Sequence, residues 1–227
     1  MCSRFTLISK PELVASCFGL AEIDDFPPRY NIAPTQPVGI IRMGYHHQHE
    51  FALVRWGLIP DWVKEPGEFT TLINARAETL TQKPSFRSAF KYRRCLFPVN
   101  GFYEWSGRQG TRQPHYIAPE DEVPFAVAGL WENWMGVDGS EMESAVIITT
   151  KANTALSGLH PRMPVVIEAQ DRQRWLNCSS GKVDDVVDML RPAPNSFFKL
   201  RKVSTLVNNP QNGGSELLDS VGQQELF

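Results

Sequence analysis

The chain has 227 residues, of which 42% are apolar, 11% aromatic and 21% charged, a composition that fits a soluble globular protein and excludes a fibrous or wholly disordered one. The formal charge of −2 gives no general attraction to polyanions, and the longest apolar stretch, residues 125–131, falls far short of the ~20 residues of a membrane span, so no membrane partner is expected. Lys10, Pro11 and Glu12 interrupt the first twenty residues, which therefore lack the apolar centre of a secretory signal. The cysteines at 2, 17, 95 and 178 form no C-x-x-C and no disulfide or zinc spacing; a cytoplasmic protein with reduced thiols is the expectation.

Residues 5–8 read as a short strand and 11–18 as a helix opened by Pro11. Runs at 38–43 and 50–56 flank Gly44 and a histidine-rich tip and predict a hairpin. Phe86 and Phe90, four apart, mark a short amphipathic helix over 84–92. Five apolar runs follow, at 95–99, 101–106, 114–118, 124–131 and 144–150, separated by turn signals around 107–110 and 137–140. Helical patterns are expected at 153–159, 169–177 and 183–190, with a last strand at 203–207. Consecutive strands imply a largely antiparallel sheet, hence an α+β fold in one compact domain, residues 1–208. From Asn208 the text turns rich in Asn, Gly, Gln and Ser, and 209–227 reads as a flexible tail.

The net charge conceals an asymmetry. Residues 76–94 hold six basic side chains and Glu78, 6 − 1 = +5, while 119–143 hold seven acids and no base, −7. A basic face can hold phosphates whatever the total, although either run reads equally as solvated surface.

Cys2 is the most informative position. Removal of Met1 would leave an amine and a thiol on adjacent carbons, and an α-amino group titrates at about 7.7–8.0, so part of it is neutral at cellular pH. Such an amine forms a Schiff base with an aldehyde, and the thiol can close on the imine carbon to give a thiazolidine. Position 2 taken alone reads more readily as a chance cysteine. Glu104 stands among Phe102, Tyr103 and Trp105 in a strand-like run; burial would raise its pKa and suit it to acid–base work, while strand alternation equally allows it to face outward. His160 lies in a proline-stiffened segment, where a lone histidine is more often structural. His46, His47 and His49 sit at the hairpin tip without a ligand partner and are assigned to the surface.

Taken together, Met-Cys2-x-Arg4-Phe5, RYNIAPT (29–35), WGLIPDW (56–62), INARAET (73–79), CLFPVNGFYEW (95–105) and HPRMP (160–164) resemble the SRAP family, the SOS-response-associated peptidases and abasic-site cross-linking proteins. Six motifs in the family's order cover most of the first 208 residues; Ser3 stands where glycine is typical. The resemblance implies a barrel-like sheet with flanking short helices. It also implies recognition of abasic sites in single-stranded DNA, with a covalent thiazolidine cross-link through Cys2 once Met1 has been removed autocatalytically. By the family pattern Asn74 orients the Cys2 amine, Glu104 is the general acid/base, and His160 stabilises the opened sugar and supports reversal. Arg4, Arg76 and Arg162 match positions that hold phosphates, Thr149 a DNA-contacting position, and Trp62 a base-stacking one. No metal or organic cofactor is expected, and the protein is expected to act as a monomer, joining the nucleoid when bound to DNA. An N-terminal-nucleophile amidohydrolase using Cys2 is the alternative enzyme, and a DNA-binding module with a silent site is the alternative without chemistry. Finally, Gln223, Leu226 and Phe227 resemble the Q-x-x-L-F peptide that docks on the replication sliding clamp.

Overall fold

The computed structural model describes residues 2–44, 47–108 and 111–221. Its strands and helices in chain order are β1 (Phe5–Leu7), α1 (Pro11–Phe18), β2 (Arg29–Ile32), β3 (Pro37–Met43), β4 (His49–Trp56), β5 (Asn74–Arg76), α2 (Pro84–Tyr92), β6 (Arg94–Val99), β7 (Gly101–Ser106), β8 (Gln113–Ala118), β9 (Phe125–Met135), β10 (Glu141–Lys151), α3 (Thr154–Ser157), β11 (Arg162–Pro164), β12 (Val166–Ile167), α4 (Arg172–Leu176) and β13 (Lys199–Lys202). Strands β10, β4, β3, β6 and β9 form a five-stranded barrel, closed by the β9–β10 pairing; β4 and β10 run parallel and the other pairs antiparallel. A second sheet, in the order β13-β8-β7-β1-β2, lies beside it. The chain is thus a single compact α+β domain, and closure of the barrel leaves its strands without an open edge.

Local sequence explains the elements. Pro11 opens α1 and Gly19 ends it in the left-handed region (φ 66°), its N–H bonded to the Ala15 carbonyl, while Val14 and Phe18 turn into the core. Burying two such side chains contributes about 1.5–3 kcal/mol each. In α2 the buried residues Phe86, Ala89 and Phe90 share one face and the exposed Arg87 and Lys91 the other. All six residues of β6 are buried, because one face meets the barrel interior and the other is covered by α2 and α4. Asn100 marks the crossing from barrel to second sheet. Its Oδ1 accepts from the Ile8 and Ser9 amides and its Nδ2 donates to Ser9 Oγ and the Glu122 carbonyl, so this buried side chain is fully used. Gly101 follows, where a Cβ would lie 2.3 Å from the Tyr116 ring.

Several expectations are revised. The last strand is β13, not 203–207; residues Thr205–Asn208 form a 3-10 turn. The apolar side chains that marked 203–207 fill a small second core, where Val203, Val207 and Leu217 pack with Tyr103 and Tyr116. The expected tail is packed as far as Val221: Ser215–Leu218 forms a 3-10 turn, Val221 N–H bonds the Lys202 carbonyl, and Asn31 Nδ2 donates to the carbonyls of Asn209 and Asn212. Of 183–190 only Val187–Met189 is helical, and then as 3-10. The short strands β2, β5, β11 and β12 lacked any alternation long enough to read. His49 is not a free surface residue, since its ring bridges the Phe18 carbonyl and Gln173 Oε1 at 2.7 and 2.8 Å; His46 lies outside the described residues. Among the described residues no helix is long and apolar enough to cross a membrane.

Candidate active site

Trp56 sets the frame of the site. Its ring packs edge-on against Phe5 at 5.0 Å and its Nε1 donates to the Ile73 carbonyl at 3.1 Å, tying the start of β1 to the start of β5. β4 and β5 lie end to end along β10, with Trp56 beside Ala145 and Asn74 beside Ile147. The loop between them is therefore an excursion that leaves β10 and returns two residues further on, its feet closed by the Leu58 N–H to Leu72 carbonyl bond.

Glu104 lies near enough to Cys2 for its charge to act on the buried thiol. The Tyr103 amide donates to the Arg4 carbonyl at 3.0 Å and fixes the N-terminal segment along β7. Cys2 is 2% exposed and Glu104 6%. Outward orientation of Glu104 is thereby excluded: the Tyr103 and Trp105 face of β7 is covered by the second core, and Glu104 faces the barrel side. Burial pushes the Cys2 thiol far above its ordinary range, and the nearby Glu104 charge adds to the rise, so the thiol is held protonated. Asn74 Nδ2 donates to the Cys2 carbonyl at 2.9 Å, while Asn74 Oδ1 is buried without a hydrogen-bond partner among the described residues. Opposite Glu104 in β8 stands His115, its Nε2 2.9 Å from Ser106 Oγ, its pKa lowered by burial and by Lys202.

A second group lies on the β5–β10–β11 edge. Thr149 pairs with Arg76 on one side and Pro164 on the other. Arg76 is exposed, Thr149 fully buried with its Oγ1 donating to the Ala75 carbonyl at 3.3 Å. Arg162 reaches across to the Thr149 carbonyl and to both oxygens of Glu78. The Arg162 N–H donates to His160 Nδ1 at 3.0 Å, which fixes the ring against the start of β11. Asn74 and Arg76, two apart on β5, join this group to Cys2.

Arg4 and Trp62 occupy separate places. The Arg4 guanidinium bonds Asn31 Oδ1 (2.7 Å) and the Val207 carbonyl (2.9 Å), lies 5.9 Å from the Trp105 ring, and has its pKa lowered by burial. It lines a cavity of about 340 Å³ with Ser3, Trp105, Arg112 and Asn208. Trp62, on the β4–β5 excursion, is 55% exposed and rests edge-on against Phe69; Trp134 anchors the loop through Nε1 to the Val63 carbonyl at 2.6 Å.

The sequence from residue 1 to 210 matches the family described as SOS response associated peptidase, SRAP. The chain belongs to the SRAP family. Among SRAP relatives, the abasic site processing protein YoqW of Bacillus subtilis is 37% identical over 225 residues, covering 97% of this chain and all of that one. The abasic site processing protein HMCES of Xenopus tropicalis is 29% identical, covering 87% of this chain and 68% of its own. A crystal structure of a Bacteroides thetaiotaomicron protein superposes with a TM-score of 0.85 at 26% identity, covering 97% of this chain and all of that one. The SRAP motifs divide by role in this structure. Trp56, Asn31 and Asn100 build the scaffold, whereas Asn74 bonds the buried Cys2 and the buried Glu104 lies near it. Residues that sequence reasoning missed are Asn31, which seats Arg4, and Arg112 and Asn208 in the cavity wall; all three are polar residues outside any apolar periodicity. The basic run 76–94 shrinks as well: Arg94 is buried, donating to the carbonyls of Trp175, Phe90, Lys91 and Asn177, and Arg93 pairs with Glu132.

Proposed function

We propose that this protein processes abasic sites in single-stranded DNA by forming a thiazolidine through Cys2. The observation that carries the reading is a buried Cys2 whose carbonyl is bonded by the Asn74 carboxamide, with the Glu104 carboxylate buried near enough for its charge to act on the thiol. Hydrolysis of the Met1–Cys2 peptide bond, promoted at this same site, frees the α-amine. That amine adds to C1′ of the ring-opened deoxyribose; the carbinolamine loses water to give the imine, with Glu104 delivering the proton to the departing hydroxyl. The Cys2 sulfur then adds to the imine carbon as its proton passes to Glu104 and on to nitrogen, so one water is released overall. A protonated thiol suits this order, because the amine reacts first. Asn74 Oδ1, buried and without a partner among the described residues, is the acceptor that would take an N–H of the freed amine and aim its lone pair.

Arg76, Arg162 and Arg4 would hold phosphates, Thr149 would contact the strand, Trp62 would stack on a neighbouring base, and His160 would stabilise the opened sugar and support reversal. The absent base lets the sugar enter without the usual unstacking cost. All nine residues come from one chain, so the proposal needs no second copy, and none of its steps calls for a metal or organic cofactor. A cytoplasmic, nucleoid-associated protein follows from that substrate. The amidohydrolase alternative calls for a four-layer αββα sandwich, and the closed mixed barrel gives it no support. Residues 223–227 lie outside the described residues; docking of that peptide on the sliding clamp is a separate proposal, to be dropped if a peptide of residues 215–227 shows no association on titration. Cys2→Ala should abolish the denaturation-resistant adduct with an abasic oligonucleotide. An adduct of full yield in that variant would overturn the assignment.

A further inference from the structure

Arg162 is already occupied. Its terminal nitrogens meet the two carboxylate oxygens of Glu78 at 2.7 and 2.9 Å, a bidentate fork, and one of them also donates to Thr149. The Arg162 side chain is 13% exposed and tied to β10, whereas that of Glu78, in the 3-10 turn Ala77–Thr79 just after Arg76, is 43% exposed. A carboxylate in this fork sets two oxygens where a phosphodiester sets its two non-bridging oxygens. Both anions cannot hold the same two donors. Of the pair, Arg162 is fixed by its surroundings and Glu78 is free to turn into solvent.

We infer that Glu78 is a resident occupant of the Arg162 phosphate site, a carboxylate that a DNA phosphate must displace. The inference rests on the reading that this face binds DNA, and it adds a threshold to it. Every strand that takes Arg162 first breaks the Glu78 pair, so passing contacts with undamaged DNA are weakened, while a lesion that goes on to a covalent bond draws the displacement to completion. Glu78 is then a specificity residue acting through Arg162, not a member of the reacting set.

The test compares wild type and Glu78→Gln for non-covalent binding of an undamaged fluorescent oligothymidylate at low salt, by anisotropy. The amide should bind tighter by about two- to fivefold, the range expected for a partly exposed ion pair, and Glu78→Ala should show the same gain. In an Arg162→Gln background the gain should vanish, because the two side chains act as one unit. Weaker binding by Glu78→Gln would make Glu78 a support for Arg162 and overturn the inference; so would an undiminished gain in the Arg162→Gln background, which would reduce the effect to loss of a negative charge. Wild type that cross-links abasic DNA while Glu78→Gln binds no differently overturns this inference alone. Wild type that binds no oligonucleotide overturns the functional reading and this inference with it.

Discussion

Asn74→Ala separates positioning from folding at the centre of the site. Among the described residues the native carboxamide makes one hydrogen bond, to the Cys2 carbonyl, and its Oδ1 is a buried acceptor with no donor. Deleting the side chain strands the Cys2 carbonyl, at about 1–3 kcal/mol, but also removes the stranded Oδ1, which returns a similar amount. Net stability should therefore change by no more than ~1 kcal/mol, a shift in Tm of about 2–4 °C for a domain this size. The reaction has no such offset. In the proposed transition state Oδ1 takes up the attacking amine, while the bond to the Cys2 carbonyl is present before and after and cancels; losing the one hydrogen bond gained, ~1–1.5 kcal/mol, slows adduct formation about 5- to 13-fold. Single-turnover cross-linking to a 5′-labelled abasic oligonucleotide, followed on denaturing gels with Met1 removal checked by intact mass, reads the rate; thermal melting reads the stability. A processed variant that cross-links within twofold of wild type would refute the role of Asn74, and a variant destabilised by more than 10 °C would refute the compensation argument.

Three further outcomes are expected. Arg94→Met should destabilise by about 3–5 kcal/mol, visible as a lower denaturant midpoint, because the carbonyls of Trp175, Phe90 and Asn177 lose a buried charged donor; a midpoint equal to wild type would show that water replaces the guanidinium. Trp62→Ala should leave the melting temperature within ~2 °C, since the ring is half exposed, yet weaken single-strand binding by roughly 1–3 kcal/mol, and unchanged affinity would remove the stacking role. Because burial and Glu104 raise the Cys2 thiol pKa, the thiolate is scarce below that raised value and grows only as pH rises toward it; alkylation of folded Cys2 by iodoacetamide should stay slow through pH 9 and become fast in denaturant. Rapid labelling at pH 8 in the folded protein would contradict this.

How much of this was legible in the sequence follows from range. Strands and helices long enough to show their own period, such as the 38–43 and 50–56 hairpin and the 84–92 helix, were readable from local spacing alone. Three-residue β5 and β11 were not, because their existence depends on a place beside β10. The two tryptophans of WGLIPDW make the same point within one motif: Trp56 is fully buried and structural, Trp62 exposed, and nothing in seven letters tells them apart. Glu104 could have faced either way by alternation. What decides it is the segment beyond residue 203, which covers the opposite face of β7 and lies a hundred residues away. Arg94 read as part of a basic surface because charge is counted along the chain, while its burial depends on carbonyls gathered from α2 and the end of α4.

The packing of residues 207–212 against Arg4 and Asn31 has a consequence for the order of events at the ribosome. Cys2 and Arg4 are made about a hundred residues before Glu104, and the wall that seats Arg4 is made about another hundred residues later. At roughly 5–20 residues per second, the interval between the first and last of these spans tens of seconds. During that time Arg4 lacks the Val207 carbonyl that it bonds in the folded chain. The seat of Arg4 is thus completed only once residues 207–212 have been made, and a polypeptide broken off before residue 203 would carry Cys2 and Arg4 without it.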